Sequence, residues 1–205
     1  MERDEADASL QRAMQFQHER EMEATRIAPH RWPESCGYES VIDFIRGNGQ
    51  FFEPVERPDE FSARPSRACI ENSARLSVEN DLIYVEGFAA PGGGVPDVSL
   101  PIRHAWCVDD SGRVIDVTWD PVGVAYFGIP FRRAYVEQAL VESEHEADEE
   151  KQLLIEEGKT DEIAELEADQ RLGLHTLLPV YELALGSRLL ELPREEWLHE
   201  TYLER

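Results

Sequence analysis

The sequence predicts an α+β fold in which one short helix packs on a small antiparallel sheet and further helices extend from both ends of the chain. Three observations predict it. Two arms rich in β-branched and aromatic residues, 102–108 and 113–119, flank Asp109-Asp110-Ser111-Gly112, which is the composition of a hairpin. A helical stretch beginning near Ser66 gives way to the apolar run Leu82 to Ala89, read as a buried strand. Strong helix formers dominate residues 4–26 and the segment from Ala134 to Arg171. At 205 residues and 41% hydrophobic content the chain can build one ordinary core with appendages. Residues 1–30 are read as an N-terminal helical extension, 31–135 as the core, and 136–205 as an acidic helical C-terminal extension packing on it.

In chain order, Leu10, Met14, Phe16 and Met22 give residues 4–26 a weakly amphipathic face for docking on the core or on a partner. Ala28 to Pro33 reads as a linker, and His30 within it as a surface residue. A short helix from Tyr38 to Ile45 ends at Gly47-Asn48-Gly49, with Cys36 before it as a structural thiol. Pro54, Pro58 and Pro65 keep residues 50–65 extended, pinned by Phe51, Phe52 and Phe61. The helix that starts near Ser66 stops at Asn80-Asp81. After the Leu82 to Ala89 strand, Pro91 to Pro96 forms a loop whose Gly92 to Gly94 suit a lid. Asp120-Pro121 turns the chain, and Tyr126 to Phe131 forms another strand. The following helix has a break at Gly158, and Ala139, Leu140, Leu153, Leu154, Ile163 and Leu166 are its expected buried side. His145 lies among Glu144, Glu146 and Asp148, a solvated face rather than a set of convergent metal ligands. An apolar stretch from Leu172 to Leu192 and a short helix from Pro193 to Tyr202 complete the chain.

Net charge is −23, from 43 acidic against 20 basic residues. That balance argues against a phosphate backbone as partner, so no nucleic-acid binding is expected. Residues 137 to 170 hold 14 Asp or Glu and only two Lys, a surface that could engage a basic protein. There is no apolar run near 18 residues and no secretory signal pattern at the N-terminus, so a cytoplasmic protein without membrane association is expected. Three widely spaced cysteines form neither a disulfide framework nor a Cys-x-x-Cys zinc site.

The hairpin carries the chemistry. With Asp110-Ser111-Gly112 as the loop and Gly112 left-handed, Asp109 pairs with Arg113, Trp106 with Asp116 and His104 with Thr118. His104 and Asp116 are then diagonal neighbours on one face, roughly 7 Å apart at the backbone and close enough for their side chains to meet. Cys107 faces the other way. A carboxylate joined to an imidazole fixes its tautomer and stabilises the imidazolium, which equips the ring to move a proton for a nucleophile. Cys69 is the candidate nucleophile: with Ser66 as helix cap, it falls in a first turn whose free N–H groups and dipole lower a thiol pKa and can hold an oxyanion. Asn72 and Trp106 are further oxyanion or substrate candidates. Glu86, a carboxylate in an apolar strand, is either a substrate-facing acid or an edge residue in solvent.

A Cys at a helix start, then Gly87-Phe88 on a strand, then His104-Ala105-Trp106, then Asp116-Val117-Thr118-Trp119, resembles the core of the transglutaminase-like superfamily within the papain-like fold. The resemblance covers residues 66 to 120. It implies a compact papain-like catalytic core with Cys69 as nucleophile, His104 as general base and then acid, and Asp116 as the residue orienting His104. It further implies acyl transfer on a polypeptide or other amide substrate, as a peptidase, deamidase or transglutaminase-like enzyme, and no cofactor. The chain departs from the pattern at Ile70, where transglutaminases place Trp, and in lacking a Gln shortly before the nucleophile. Oxyanion donors would then come from backbone N–H groups at the helix start. The alternative is an inactive version of the fold serving as an acidic protein-interaction module.

Overall fold

The structure is a computed structural model that describes residues 3–27, 37–92, 101–159, 176–178 and 194–203. It is an α+β architecture: helices surround a curled five-stranded antiparallel sheet of order β1-β5-β2-β3-β4. The strands are β1 (Gln50–Phe52), β2 (Ile83–Ala90), β3 (Ile102–Val108), β4 (Val114–Ile115) and β5 (Ala125–Pro130). The helices are α1 (Arg3–Ile27), α2 (Val41–Asn48), α3 (Cys69–Asn80), α4 (Arg133–Glu156) and α5 (Arg194–Thr201).

Two apolar layers hold the sheet. One side carries Tyr84, Phe88, Ala105, Phe127 and Ile129, covered by Leu10 and Met14 of α1, Phe44 and Ile45 of α2, Ala74 of α3 and Val136 of α4. The other side carries Phe52, Val85, Ala89, Trp106, Val108 and Tyr126. This division follows from the alternation of side chains along each strand. Because β2 and β5 are buried on both faces, they read as continuous apolar runs rather than alternating ones. The strands approach closely where Gly87 pairs with Gly128. A Cβ on Gly87 would stand 2.1 Å from the Phe127 carbonyl oxygen, so only glycine fits there.

The β3–β4 hairpin has the expected register. Cys107 pairs with Ile115 and Val108 with Val114, the Asp109 amide donates to the Arg113 carbonyl, and Gly112 is left-handed at φ 80°. The return arm, however, ends as a strand at Ile115 rather than running to Trp119. The Asp116 carboxylate accepts hydrogen bonds from the Thr118 and Trp119 amides, at 2.8 and 3.1 Å, and folds the chain into a turn.

Several other expectations are corrected. Within the extended segment 50–65, Gln50–Phe52 is a strand paired with β5, a pairing the sequence reading did not foresee. The α2 helix runs through Gly47 and Asn48 before it is capped at Gly49. Phe16 is exposed, so the docking face of α1 is Ala6, Leu10, Ala13 and Met14. On α4, Leu140 is buried, but Leu153 is 59% exposed and does not face the core. This helix ends at Glu156, and Gly158 takes a left-handed φ of 73° as the expected break. His145 pairs with Glu149 on the exposed face at 3.2 Å. The linker 28–33, Cys36, the glycines at 93 and 94, Ile163, Leu166 and most of 172–192 lie outside the described residues. Among the described residues no helix is long and apolar enough to cross a membrane, and no group of three His, Cys, Asp or Glu could hold a metal ion.

Candidate active site

Cys69 opens α3. The N-cap is Ala68 with no side-chain hydrogen bond, not Ser66, and Arg67 just before it holds a left-handed φ of 74°. The first-turn N–H groups therefore have no side-chain cap, and they lie beside the sulfur. Helix α3 runs along the edge of β3, where β4 is too short to pair. The Ala105 carbonyl accepts from the Ser73 hydroxyl at 3.1 Å, and the Ala105 backbone helps to lower the pKa of the Cys69 thiol. Cys107 points to the same helix, its thiol donating to the Ser73 carbonyl.

His104 is buried, with Nε2 at 2.8 Å from Asp116 Oδ2. Cys69 and His104 line one cavity, and with Nε2 committed to Asp116 it is Nδ1 that is left to face the thiol. The Trp119 ring stacks on the imidazole with centroids 4.0 Å apart and planes inclined 15°. Asp116 is anchored on both oxygens: Oδ1 by the Thr118 and Trp119 amides, Oδ2 by His104 and by the Tyr126 hydroxyl at 2.8 Å. Tyr126 in turn accepts from the Gly123 amide at 2.8 Å.

Electrostatics follow from these contacts. Burial opposes charging His104, but the Asp116 carboxylate and the Cys69 sulfur outweigh it and raise the imidazole from 6.5 to about 9. Burial likewise opposes ionising Cys69, and the neighbouring His104 imidazole, with help from the Ala105 backbone, holds the thiol below its ordinary value. Asp116 is desolvated, yet His104, the Thr118 amide and Tyr126 keep it below the usual carboxylate range. These shifts agree in sign: they favour a thiolate beside an imidazolium beside a carboxylate. By contrast, Cys107 sits in an apolar layer, and burial pushes its thiol far up.

A cavity of about 320 Å³ opens at Cys69 and His104, lined also by Ile70, Glu86, Gly87, Arg103, Thr176 and Leu178. Glu86 is 3% exposed on the central strand β2, which removes the alternative of an edge residue in solvent. Its carboxylate accepts from the Tyr84 hydroxyl at 2.7 Å, the Thr176 hydroxyl at 2.6 Å and the Leu177 amide at 2.6 Å. Burial raises its pKa against those three donors. Asn72 does not reach this cavity as a donor: its amide nitrogen serves the Pro65 carbonyl and the Thr118 hydroxyl, at 2.8 and 3.1 Å, and ties α3 to the turn after Asp116. Trp106 is fully buried in the opposite layer, edge-on to Phe52 and Tyr126, and does not line the cavity. A larger groove of about 810 Å³, between residues 54–63 and 120–124, contains none of Cys69, His104 and Asp116.

Sequence reasoning missed Tyr126, Trp119 and the 176–178 wall. Trp119 was in view as the end of the return strand, but its stacking on His104 depends on that strand ending at Ile115. Tyr126 shares a face with Val85 and Trp106 only through the β5–β2 pairing, and 176–178 lies about 60 residues beyond the hairpin, so neither had a local signal. No family model, no curated protein and no solved structure matches the chain, so the site rests on its own geometry.

Proposed function

We propose that this chain is a thiol-dependent acyl-transfer enzyme acting on amide bonds, with a core of papain-like, transglutaminase-like type. The observation that carries the reading is the imidazole of His104, bonded to Asp116 and sharing a cavity with a partly exposed Cys69 whose thiol is lowered while the imidazole is raised.

In this mechanism Cys69 Sγ attacks the amide carbonyl carbon and the carbonyl π electrons move to oxygen. The resulting oxyanion is held by backbone N–H groups of the first turn of α3, at the positive end of the helix dipole. The imidazolium of His104 gives its Nδ1 proton to the departing nitrogen, the C–N bond breaks, and a thioester remains on Cys69. Water or an amine then attacks the thioester, His104 takes the proton back, and Cys69 is released. Asp116 keeps the ring oriented and stabilises its charge throughout. Water as acceptor makes a peptidase or deamidase, and an amine makes a transamidase.

The test is a screen of glutamine amides and peptides for ammonia, amine or acid release with the wild-type chain and Cys69→Ala. The reading expects turnover, a thioester mass adduct on Cys69, and loss of both in the variant with its fold retained. Turnover surviving Cys69→Ala would contradict it. A second reading, an acidic interaction module, draws on α4, where Val141, Leu153 and Ile155 are more than half exposed among acidic residues. It expects capture of a basic protein that weakens steeply with salt and is indifferent to Cys69→Ala.

A further inference from the structure

The wall of the Cys69 cavity contributed by residues 176–178 is tied to the core by three hydrogen bonds, two to Glu86 and one to Tyr135. The Thr176 hydroxyl donates to Glu86 Oε2 and accepts from the Leu178 amide at 3.2 Å. The Leu177 amide donates to Glu86 Oε1, and the Leu177 carbonyl accepts from the Tyr135 hydroxyl at 3.2 Å. The Leu177 side chain is buried in the main apolar layer, which adds a hydrophobic anchor to the polar ones. Leu178 is 1% exposed and lines the same cavity as Ile70, which follows the nucleophile directly. Leu178 directly follows these anchored residues, so its bulk is held on the cavity that Cys69 lines and is subtracted from the room there. Glu86 is thereby explained as well: a carboxylate in the middle of a buried strand is costly unless it is satisfied, and here three donors satisfy it while two of them fix the wall.

Resting on the acyl-transfer reading above, we propose that Leu178, clamped through Thr176 to Glu86, sets the width of the acyl group admitted to Cys69. The site accordingly takes amides whose acyl chain is slender and unbranched beside the carbonyl and rejects bulky or aromatic ones. Leu178 is the specificity-determining residue, and Glu86 and Thr176 are its positioning residues. None of the three takes part in bond making.

The experiment compares alkylation of Cys69 by iodoacetamide and by 2-iodo-2-phenylacetamide, which carries its ring on the carbon that bonds to sulfur, in the full chain, followed site by site by mass spectrometry and normalised to the same ratio for a free small-molecule thiol. Wild type is expected to disfavour the phenyl reagent by about tenfold, the discrimination that a few methylene-sized contacts provide. Leu178→Ala should bring the ratio close to that of the free thiol, and Thr176→Val, which removes the bridging hydroxyl at almost constant volume, should move it the same way. Ratios unchanged from wild type in both variants, with circular dichroism and melting showing folded protein, would overturn the proposal. The pH profile of the iodoacetamide reaction in the same samples separates the two levels. An ordinary-thiol profile with a ratio that still responds to Leu178→Ala contradicts the acyl-transfer reading and leaves the width limit standing as a property of the cavity.

Discussion

His104 and Asp116 form a pair whose energetics carry a definite sign. His104 has its folded pKa raised from 6.5 to about 9, so its contribution to stability is complete below 6.5 and lost as pH rises through about 9. Asp116 has its folded pKa depressed, so its contribution is present above its ordinary 3.8 and lost as pH falls through the lowered value. The pair is therefore at full strength between about pH 4 and pH 6.5 and fades as pH rises from there to about 9. Asp116→Asn is expected to cost about 3–5 kcal/mol in that window, because it leaves a buried imidazolium uncompensated, and distinctly less at pH 10. Urea titrations of both proteins at the two pH values check this, and a gap that widens at pH 10 would contradict it. The pairing of these two residues was legible from the hairpin register alone, since loop composition fixes which residues face each other. The roles of Asn72 and Trp106 were not legible, because which way a helix residue turns and which layer a strand residue fills depend on where β4 stops and how β5 pairs.

Among the elements, the hairpin turn is the most self-contained. Asp109 accepts from the Ser111 amide and hydroxyl and from the Arg113 amide, at 2.9, 2.6 and 3.0 Å, and closes a loop whose left-handed residue is Gly112. A Cβ on Gly112 would meet nothing within 4 Å, so Gly112→Ala isolates the cost of the backbone conformation. It should destabilise the chain by about 1 kcal/mol, read from the urea midpoint at unchanged slope, with Cys69 reactivity retained. A neutral result would mean that the turn relaxes to another geometry. Local rules sufficed here because the turn chemistry lies within five residues. They failed for β1, a three-residue strand among prolines that is held by its pairing with β5, 75 residues downstream, and by the bridge from Glu53 to Arg113. They failed also on α4, whose Leu153 has the spacing of a buried stripe but extends beyond the sheet it would need to cover.

For the molecule as a whole, the sheet bearing the site depends on helices from both ends of the chain. Leu10 and Met14 of α1 are fully buried in the same apolar layer as Phe88 and Phe127, and Phe131 bridges to Tyr202 just after α5. Leu10→Ala should cost about 2–5 kcal/mol, the range for a buried leucine whose cavity cannot fully collapse, and a melting curve that shifts without broadening would show α1 to be part of one cooperative unit. A separate low-temperature transition would instead mark it as an appendage. The α+β class was legible because it needs only the succession of periodicities. The curled strand order was not, since β5 inserts between β1 and β2 through contacts that no local pattern encodes.

The most direct measurement is the rate of iodoacetamide labelling at Cys69 and Cys107 on the folded chain from pH 5 to 9, in wild type and in His104→Ala. A thiolate coupled to His104 predicts that Cys69 labels readily at pH 6, that His104→Ala slows it there at least tenfold, about 1.4 kcal/mol, and that buried Cys107 stays unmodified throughout. A Cys69 that labels only above about pH 8.5, as a free thiol does, or that is indifferent to His104→Ala, would contradict the account.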